Sequence, residues 1–132
     1  MATGTPPGTG PQLVDGTWLN GIAGGTNSSY QSGLTATGSS SQATALQLTS
    51  GYTIVEVDTV GANTGVALPA AFAGTEISVY NNGASTLTIY PQIANNPITA
   101  AQDTINNSTS TTATTHTGLY FFCAKNGVWC AK

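Results

Sequence analysis

Residues 75–90 read TEISVYNNGASTLTIY and carry the clearest structural pattern in the chain. In the first half, Ile77 and Val79 alternate with more polar neighbours, which is the two-residue period of a strand with one buried face. Leu87 and Ile89 continue the alternation in the second half. Because Asn, Gly and Ser between the halves favour a turn, the stretch predicts a β-hairpin whose second strand stops at Pro91.

Similar segments recur over residues 44–132, which we interpret as a β-sandwich body. They are TALQLT (44–49), TIVEVDTV (53–60), TGVAL (64–68), GLYFFCA (118–124) and VWCA (128–131). Ile98, Ile105 and the Thr-rich run near Ser110 suggest two shorter strands. No long segment shows a convincing helical period, and no fixed-period repeat is evident. Short strands separated by turns predict an all-β fold, and we expect a jelly-roll-like antiparallel sandwich.

Residues 1–43 differ in composition, and we interpret them as a largely irregular N-terminal arm with an apolar anchor. Residues 1–12 are mostly Gly, Pro and Thr, which is typical of a flexible segment and unlike a secretory signal. Residues 24–43 return to Gly, Ser, Thr and Asn and predict a second loose stretch. Between them lie the predicted protein-interface residues, Leu13, Val14, Trp18, Leu19 and Ile22. We expect this anchor to dock on a neighbouring subunit.

Charged residues are scarce and limit the partners that the chain can bind. Only 5% of the 132 residues are charged, and the formal net charge is -3. The cations are Lys125 and Lys132, too few to bind a nucleic-acid backbone or an anionic membrane surface. No apolar run approaches the roughly 20 residues of a membrane-spanning helix. Since so small a charge also gives little repulsion between copies, we expect a homo-oligomer with protein partners.

The dipeptide Asn126-Gly127 is the strongest local turn pattern in the sequence. A two-residue turn there predicts that Lys125 opposes Val128 and that Cys123 opposes Cys130. The two cysteines would then be close enough for a disulfide. The alternative is a pair of reduced thiols that pack as small apolar side chains.

A few other residues are candidates for chemistry. Glu56 and Asp58 share one face of a predicted strand, which indicates a solvated surface, with a calcium site or catalysis as alternatives. His116 is the single histidine, and we expect it to be exposed. A zinc site built from His116 and the two cysteines would lack a fourth ligand. We therefore expect neither enzymatic activity nor a cofactor.

One remaining set of aromatic residues could in principle stack on sugars. It comprises Trp18, Trp129, Tyr30, Tyr52, Tyr80, Tyr90 and Tyr120. Core or interface packing is the expected role for most of them.

Parts of the sequence resemble small structural proteins of tailed bacteriophages. The resembling features are Leu68-Pro69, Ala73-Gly74, the strand from Ile77 to Tyr80, Asn82-Gly83, the strand from Leu87 to Pro91, and Asn126-Gly127 with Trp129. The segment QLVDGTWLNG (12–21) is similar to the N-terminal region of those proteins. This resemblance implies a capsid decoration, or cement, protein with a jelly-roll-like fold and no catalytic residues.

The same resemblance implies a place for the protein in a virus particle. Such a protein is made in the host cytoplasm and binds the outer capsid surface at junctions between major capsid protein subunits, where it stabilises the shell. The alternative function is a phage appendage module that binds a receptor or a glycan. Exposed coplanar aromatic residues beside Asn and Asp would favour the glycan-binding alternative, and aromatic residues buried between subunits would favour the cement protein.

Overall fold

The computed structural model describes residues 29–132, and the regular structure in this part of the chain is almost entirely β. Its ten strands are β1 (Tyr30–Thr35), β2 (Leu46–Gln47), β3 (Ile54–Thr59), β4 (Gly65–Ala67), β5 (Glu76–Asn81), β6 (Leu87–Tyr90), β7 (Thr104–Ile105), β8 (Thr111–Ala113), β9 (Thr117–Lys125) and β10 (Val128–Ala131). A short 3-10 helix, Gln42–Thr44, precedes β2. The prediction of an all-β fold is confirmed.

The first six strands wind as a β-solenoid, in which the chain crosses between two sheets and returns on every turn. Strands β1, β3 and β5 lie side by side in one sheet, and β2, β4 and β6 lie side by side in the other. All of these neighbours are parallel. In the first sheet most of the residues that these strands pair are 24 apart in sequence, as in Tyr30 with Ile54 and Ile54 with Ser78.

The last four strands extend both sheets after the solenoid turns. Strand β9 is antiparallel to β5, and β8 is antiparallel to β6. Strand β10 is antiparallel to β9, and β7 pairs with β10 in parallel. The six-stranded sheet therefore has the order β1-β3-β5-β9-β10-β7, and the four-stranded sheet has the order β8-β6-β4-β2.

The expected antiparallel jelly-roll topology is wrong, because five of the eight strand pairings in residues 29–132 are parallel. The hairpin predicted for residues 75–90 is also wrong, since β5 and β6 belong to different sheets. The buried Asn81 side chain holds the corner between them. Its Nδ2 donates to the carbonyl oxygens of Ser85 (2.8 Å) and Ala113 (2.9 Å), and its Oδ1 accepts from the Gly83 N–H.

The structure also has a repeat that the sequence does not show. Tyr30, Ile54 and Ser78 occupy equivalent positions in successive turns, so the 24-residue spacing of the six-stranded sheet exists without a recurring residue type at this position. The strand Tyr30–Thr35 lies in the stretch that was predicted to be loose. The β-body therefore begins upstream of Thr44.

The core lies between the two sheets and is built by the alternation that the sequence predicted. Inward-facing side chains of the six-stranded sheet, among them Val55, Ile77 and Phe121, are almost completely buried. Leu87 and Ile89 face them from the four-stranded sheet. Burial of one such large side chain contributes about 1.5–3 kcal/mol, so this interior is the main source of stability.

Two glycines, buried Gly83 and exposed Gly61, have different surroundings. A Cβ added to Gly83 would lie 2.5 Å from the Cβ of Val60, so the chain there can pack only without a side chain. A Cβ added to Gly61 would meet its nearest neighbour, the Cγ2 of Thr64, at 3.7 Å, which is an ordinary contact.

The turn at Asn126-Gly127 is confirmed, and so is the pairing of Lys125 with Val128. The pairing of Cys123 with Cys130 is wrong. A β-bulge at Ala124 shifts the register, so that Cys123 pairs with Trp129 and Phe122 pairs with Cys130. Of the turn residues, only Gly127 has a positive φ, so the turn is not the type I′ turn that fits a regular hairpin. The cysteines consequently lie on opposite faces of the sheet as free thiols.

Candidate interaction surface

The outer face of the six-stranded sheet carries a group of large side chains that we name the aromatic face, namely Tyr30, Ile54, Tyr80, Tyr120 and Phe122. Strand register explains why they lie together. Tyr30 pairs with Ile54, Ile54 pairs with Ser78, and Ser78 pairs with Tyr120, so these residues form one row across four strands. Because side chains alternate along a strand, the whole row points away from the core.

Tyr120 and Phe122 form a stacked pair at the β9 end of this face. They are two residues apart on β9, and their ring centroids are 5.8 Å apart with an angle of 26° between the planes. Their exposed fractions are 38% and 36%. Burial against its neighbours raises the pKa of the Tyr120 hydroxyl, and a hydrogen bond with Glu76 raises it further. The pair therefore presents a nearly flat apolar surface with one polar edge.

A shallow depression of about 280 Å³ lies beside this pair. Its walls are formed by Ile54, Tyr80 and Tyr120, while Ser78 and Gly118 contribute little side-chain volume. The Tyr80 ring lies over Gly118, since a Cβ on that glycine would be 3.6 Å from the Tyr80 Cδ1. Small residues between large ones thus create a recess into which a partner side chain or a sugar ring could insert.

Two acidic side chains of this sheet, Glu56 and Asp58, are hydrogen-bonded within the protein. The Tyr30 hydroxyl donates to Glu56 Oε1 at 2.5 Å. Asp58 accepts from the Asn82 Nδ2 (3.1 Å) and from the Gly33 N–H (2.7 Å), and these two bonds hold its pKa below the usual value. Since Glu56 and Asp58 lie on β3 and their partners lie on or next to β1 and β5, they brace neighbouring turns of the solenoid.

The alternatives of catalysis or calcium binding at Glu56 and Asp58 would need further acidic or metal-binding side chains nearby. Within residues 29–132, no group of three or more His, Cys, Asp or Glu residues is placed to hold a metal ion. The His116 side chain is exposed, as expected. The residue has a φ of 59°, and its backbone N–H donates to the Asn81 carbonyl oxygen.

A second apolar feature lies where the chain crosses from the four-stranded to the six-stranded sheet, and we name it the corner groove. It has a volume of about 500 Å³. Buried Leu48, Ile77 and Trp129 contribute to its lining, together with the more exposed Tyr52 and Phe72. The Trp129 indole N–H donates to the Pro69 carbonyl at 3.2 Å, which fixes the ring.

A buried polar network holds the loop beside the corner groove. Asp103 is 1% exposed, and its two carboxylate oxygens accept from the Ala71 N–H (2.8 Å) and the Asn96 Nδ2 (2.9 Å). The Asn96 Nδ2 also donates to the Ala71 carbonyl, and its Oδ1 accepts from the Ile98 N–H. These bonds tie residues 96–103 to the chain that leaves β4.

The remaining residues that the sequence suggested as sites differ in burial, and some lie outside the part of the chain that the structure describes. The anchor residues Leu13, Val14, Trp18, Leu19 and Ile22 lie outside the described residues. Tyr52 and Tyr90 are half-buried, and Trp129 is fully buried.

Sequence reasoning missed Ile54 and Phe122 as surface residues and missed the corner groove altogether. The segment GLYFFCA contained a usable pattern, because it carries large apolar residues on both faces of one strand. One face fills the core, so the other is available to a partner.

Comparisons with protein-family models, with curated proteins and with solved structures find no match to this chain. No helix within residues 29–132 has the length and apolar character needed to cross a membrane.

Proposed function

We propose that this protein is a non-enzymatic capsid decoration subunit that binds the outside of a bacteriophage shell and stabilises it. The observation that carries the proposal is the aromatic face, a flat and exposed apolar surface on a rigid sheet. Its partner would be the major capsid protein, with further contacts between copies of this chain. The resemblance of the sequence to tailed-phage structural proteins supports the same function.

The residues of the aromatic face are suited to protein binding. Tyr30, Ile54, Tyr120 and Phe122 retain exposed fractions of 45%, 42%, 38% and 36%. Burial of a whole large side chain contributes about 1.5–3 kcal/mol, so covering these remaining fractions would contribute roughly 0.6–1.2 kcal/mol each. Tyrosine is also enriched among the residues that dominate protein interfaces, because it buries a large area at a low entropic cost.

The small number of free charges on the aromatic face favours a direct contact with another protein surface over the attraction of a charged partner. Glu56 and Asp58 are already hydrogen-bonded at one end of the face, and Lys132 lies at the rim of the depression. A surface with so little unbound charge can be covered without a large desolvation cost.

Glycan binding is the second candidate, because the Tyr120 and Phe122 rings are exposed and nearly parallel. Sugar rings stack on such surfaces, and the depression beside them has polar edges at Ser78 and Lys132. Asp58 and Asn82, the side-chain types that would bind sugar hydroxyls, bind each other instead. This arrangement favours the cement function.

The experiment uses shells assembled from the major capsid protein that accompanies this chain, stripped of the decoration subunit. Tyr120→Ala with Phe122→Ala should weaken co-sedimentation with these shells at least tenfold, since both exposed rings of the stacked pair are lost. Ile98→Ala is the matched control, because Ile98 is 62% exposed on a loop outside the aromatic face. Equal binding by the double variant and the wild type would contradict the proposal, and selective loss of binding to soluble glycans would favour the second candidate.

The stabilising role has a separate test. Shells without the subunit should assemble but break at a lower temperature, and adding the wild-type protein should restore the transition measured by calorimetry. Bare and decorated shells that break at the same temperature would contradict a cement function.

A further inference from the structure

We propose that the apolar anchor, residues 13–22, docks in the corner groove of its own chain rather than on a neighbouring subunit. The groove and the anchor are both apolar, and the packing of the β-body explains neither of them. The inference does not depend on the proposed function.

The position of the described N-terminus brings the anchor to the groove. The Ser29 carbonyl accepts from the N–H groups of Thr53 (2.8 Å) and Ile54 (3.2 Å). The residues directly before Thr53 are Gly51 and Tyr52, and both line the groove. The chain upstream of Ser29 therefore starts beside the groove wall.

The chain is long enough to make this contact. Ile22 lies seven residues before Ser29, and an extended chain spans at most about 3.3–3.6 Å per residue, so Ile22 can lie up to roughly 25 Å away. Trp18, four residues further upstream, can fold back over the same distance.

The solenoid period leads to the same location. Residues that pair in the four-stranded sheet are 20 apart between β2 and β4 and 23 apart between β4 and β6, and counting back by these spacings from Leu46, which begins β2, gives residues 23–26. One more turn with these spacings would bring residues 23–26, which directly follow the anchor, to β2, which forms the free edge of the four-stranded sheet in the described part of the chain. Leu48, directly after β2, lines the groove.

The two surfaces are chemically matched. None of the residues that line the groove is charged, and the lining contains buried Leu48 and Trp129 with exposed Phe72 at the rim. Among residues 13–22 the only charged residue is Asp15. The groove volume of about 500 Å³ is within the range of pockets that enclose a small ligand, which is enough for one indole ring with an aliphatic neighbour.

The first experiment observes Trp18 directly in the full-length protein labelled with 5-fluorotryptophan. The chain has two tryptophans, so fluorine NMR gives one resonance for Trp18 and one for the buried Trp129. We expect Trp18 to be shielded from solvent, with a small shift between H₂O and D₂O. Ala94→Arg, at the groove, should shift the Trp18 resonance to that of an exposed indole, whereas Ala84→Arg, at an exposed corner elsewhere, should leave it unchanged.

A solvent-exposed Trp18 in the wild-type protein would overturn the proposal. Dilution separates docking within the chain from docking on a second copy, because only the first is independent of concentration. A Trp18 signal that becomes exposed on dilution would therefore also overturn it.

A cross-linking experiment tests docking of the anchor in the groove independently, in case the Ala94→Arg variant does not fold. In a background without Cys123 and Cys130, Leu19→Cys with Ala94→Cys should form a disulfide within a monomer, and Leu19→Cys with Ala84→Cys should not. A cross-linked dimer, or equal yields from the two pairs, would contradict docking within the chain.

Discussion

The buried carboxylate of Asp103 allows a quantitative prediction, because both of its oxygens accept from donors that water cannot reach. Asp103→Asn keeps the shape of the side chain but replaces one oxygen with an NH₂ group. In either orientation this group faces a donor, the Ala71 N–H or the Asn96 Nδ2. One hydrogen bond to a charged group is lost, which costs about 1.5–3 kcal/mol, and a buried donor loses its partner.

Removal of the charge also removes the cost of burying it, and this offsets part of the loss. We therefore expect the free energy of unfolding to fall by about 2 kcal/mol. For a chain of this size that corresponds to a decrease in Tm of roughly 6–10 °C. Urea unfolding followed by circular dichroism and by tryptophan fluorescence measures the free energy directly.

Asp58→Asn is the matched control. Asp58 also accepts from one backbone N–H and one Asn side chain, but it lies at the surface, where water can replace either bond. Its substitution should have a much smaller effect on unfolding. If the two variants lose the same stability, or if Asp103→Asn is as stable as the wild type, then the buried network does not hold the loop in the way described.

Three further predictions test the packing, the hairpin register and the surface acid. Gly83→Ala should destabilise the fold by at least 1 kcal/mol through overpacking, whereas Gly61→Ala should change the unfolding midpoint little; equal midpoints would contradict the close approach. Cys130 should react with a thiol reagent in the native state much faster than Cys123, because burial raises the pKa of Cys123, and comparable rates would refute the bulged register. The pKa of the Asp58 carboxyl should lie below 3.8 when its titration is followed by carbon-detected NMR. The ionised carboxylate then stabilises the fold fully above pH 3.8, and this stabilisation is lost as the pH falls through the lower pKa of the folded state. A titration midpoint above 3.8 would contradict the hydrogen bonds of Asp58.

The strands could be predicted from the sequence because their information is local. Alternation placed Ile77 and Val79 in the core, and the polar or larger side chains between them on the outer face. The Asn-Gly turn was predictable for the same reason, since Gly127 supplies the positive φ that the turn requires.

The topology could not be predicted in this way, because parallel pairing joins residues 20–24 apart and leaves no local turn pattern. Strand β1 was missed because its sequence, YQSGLT, is mostly polar and its side chains are mostly exposed. The shift at Ala124 was missed because it depends on tertiary contacts. The backbone of Cys123 bonds to Gly74 and Thr75, and the Asn126 side chain accepts from the Ala73 N–H.

The aromatic face was only partly visible from the sequence. Tyr30 and Tyr120 were among the aromatic candidates, but they are 90 residues apart and meet in one row only through the solenoid register. The carboxylates of Glu56 and Asp58 were recognised as a pair, although their role as braces between turns depends on partners that the strand pattern could not identify.

Electron cryo-microscopy of stripped shells rebuilt with the wild-type protein tests the central claim most directly. The account predicts ordered density on the shell exterior, at junctions between major capsid protein subunits, with Tyr120 and Phe122 buried against the shell or a neighbouring copy. Shells that carry no such density, or a bound protein whose aromatic face points into solvent, would contradict it.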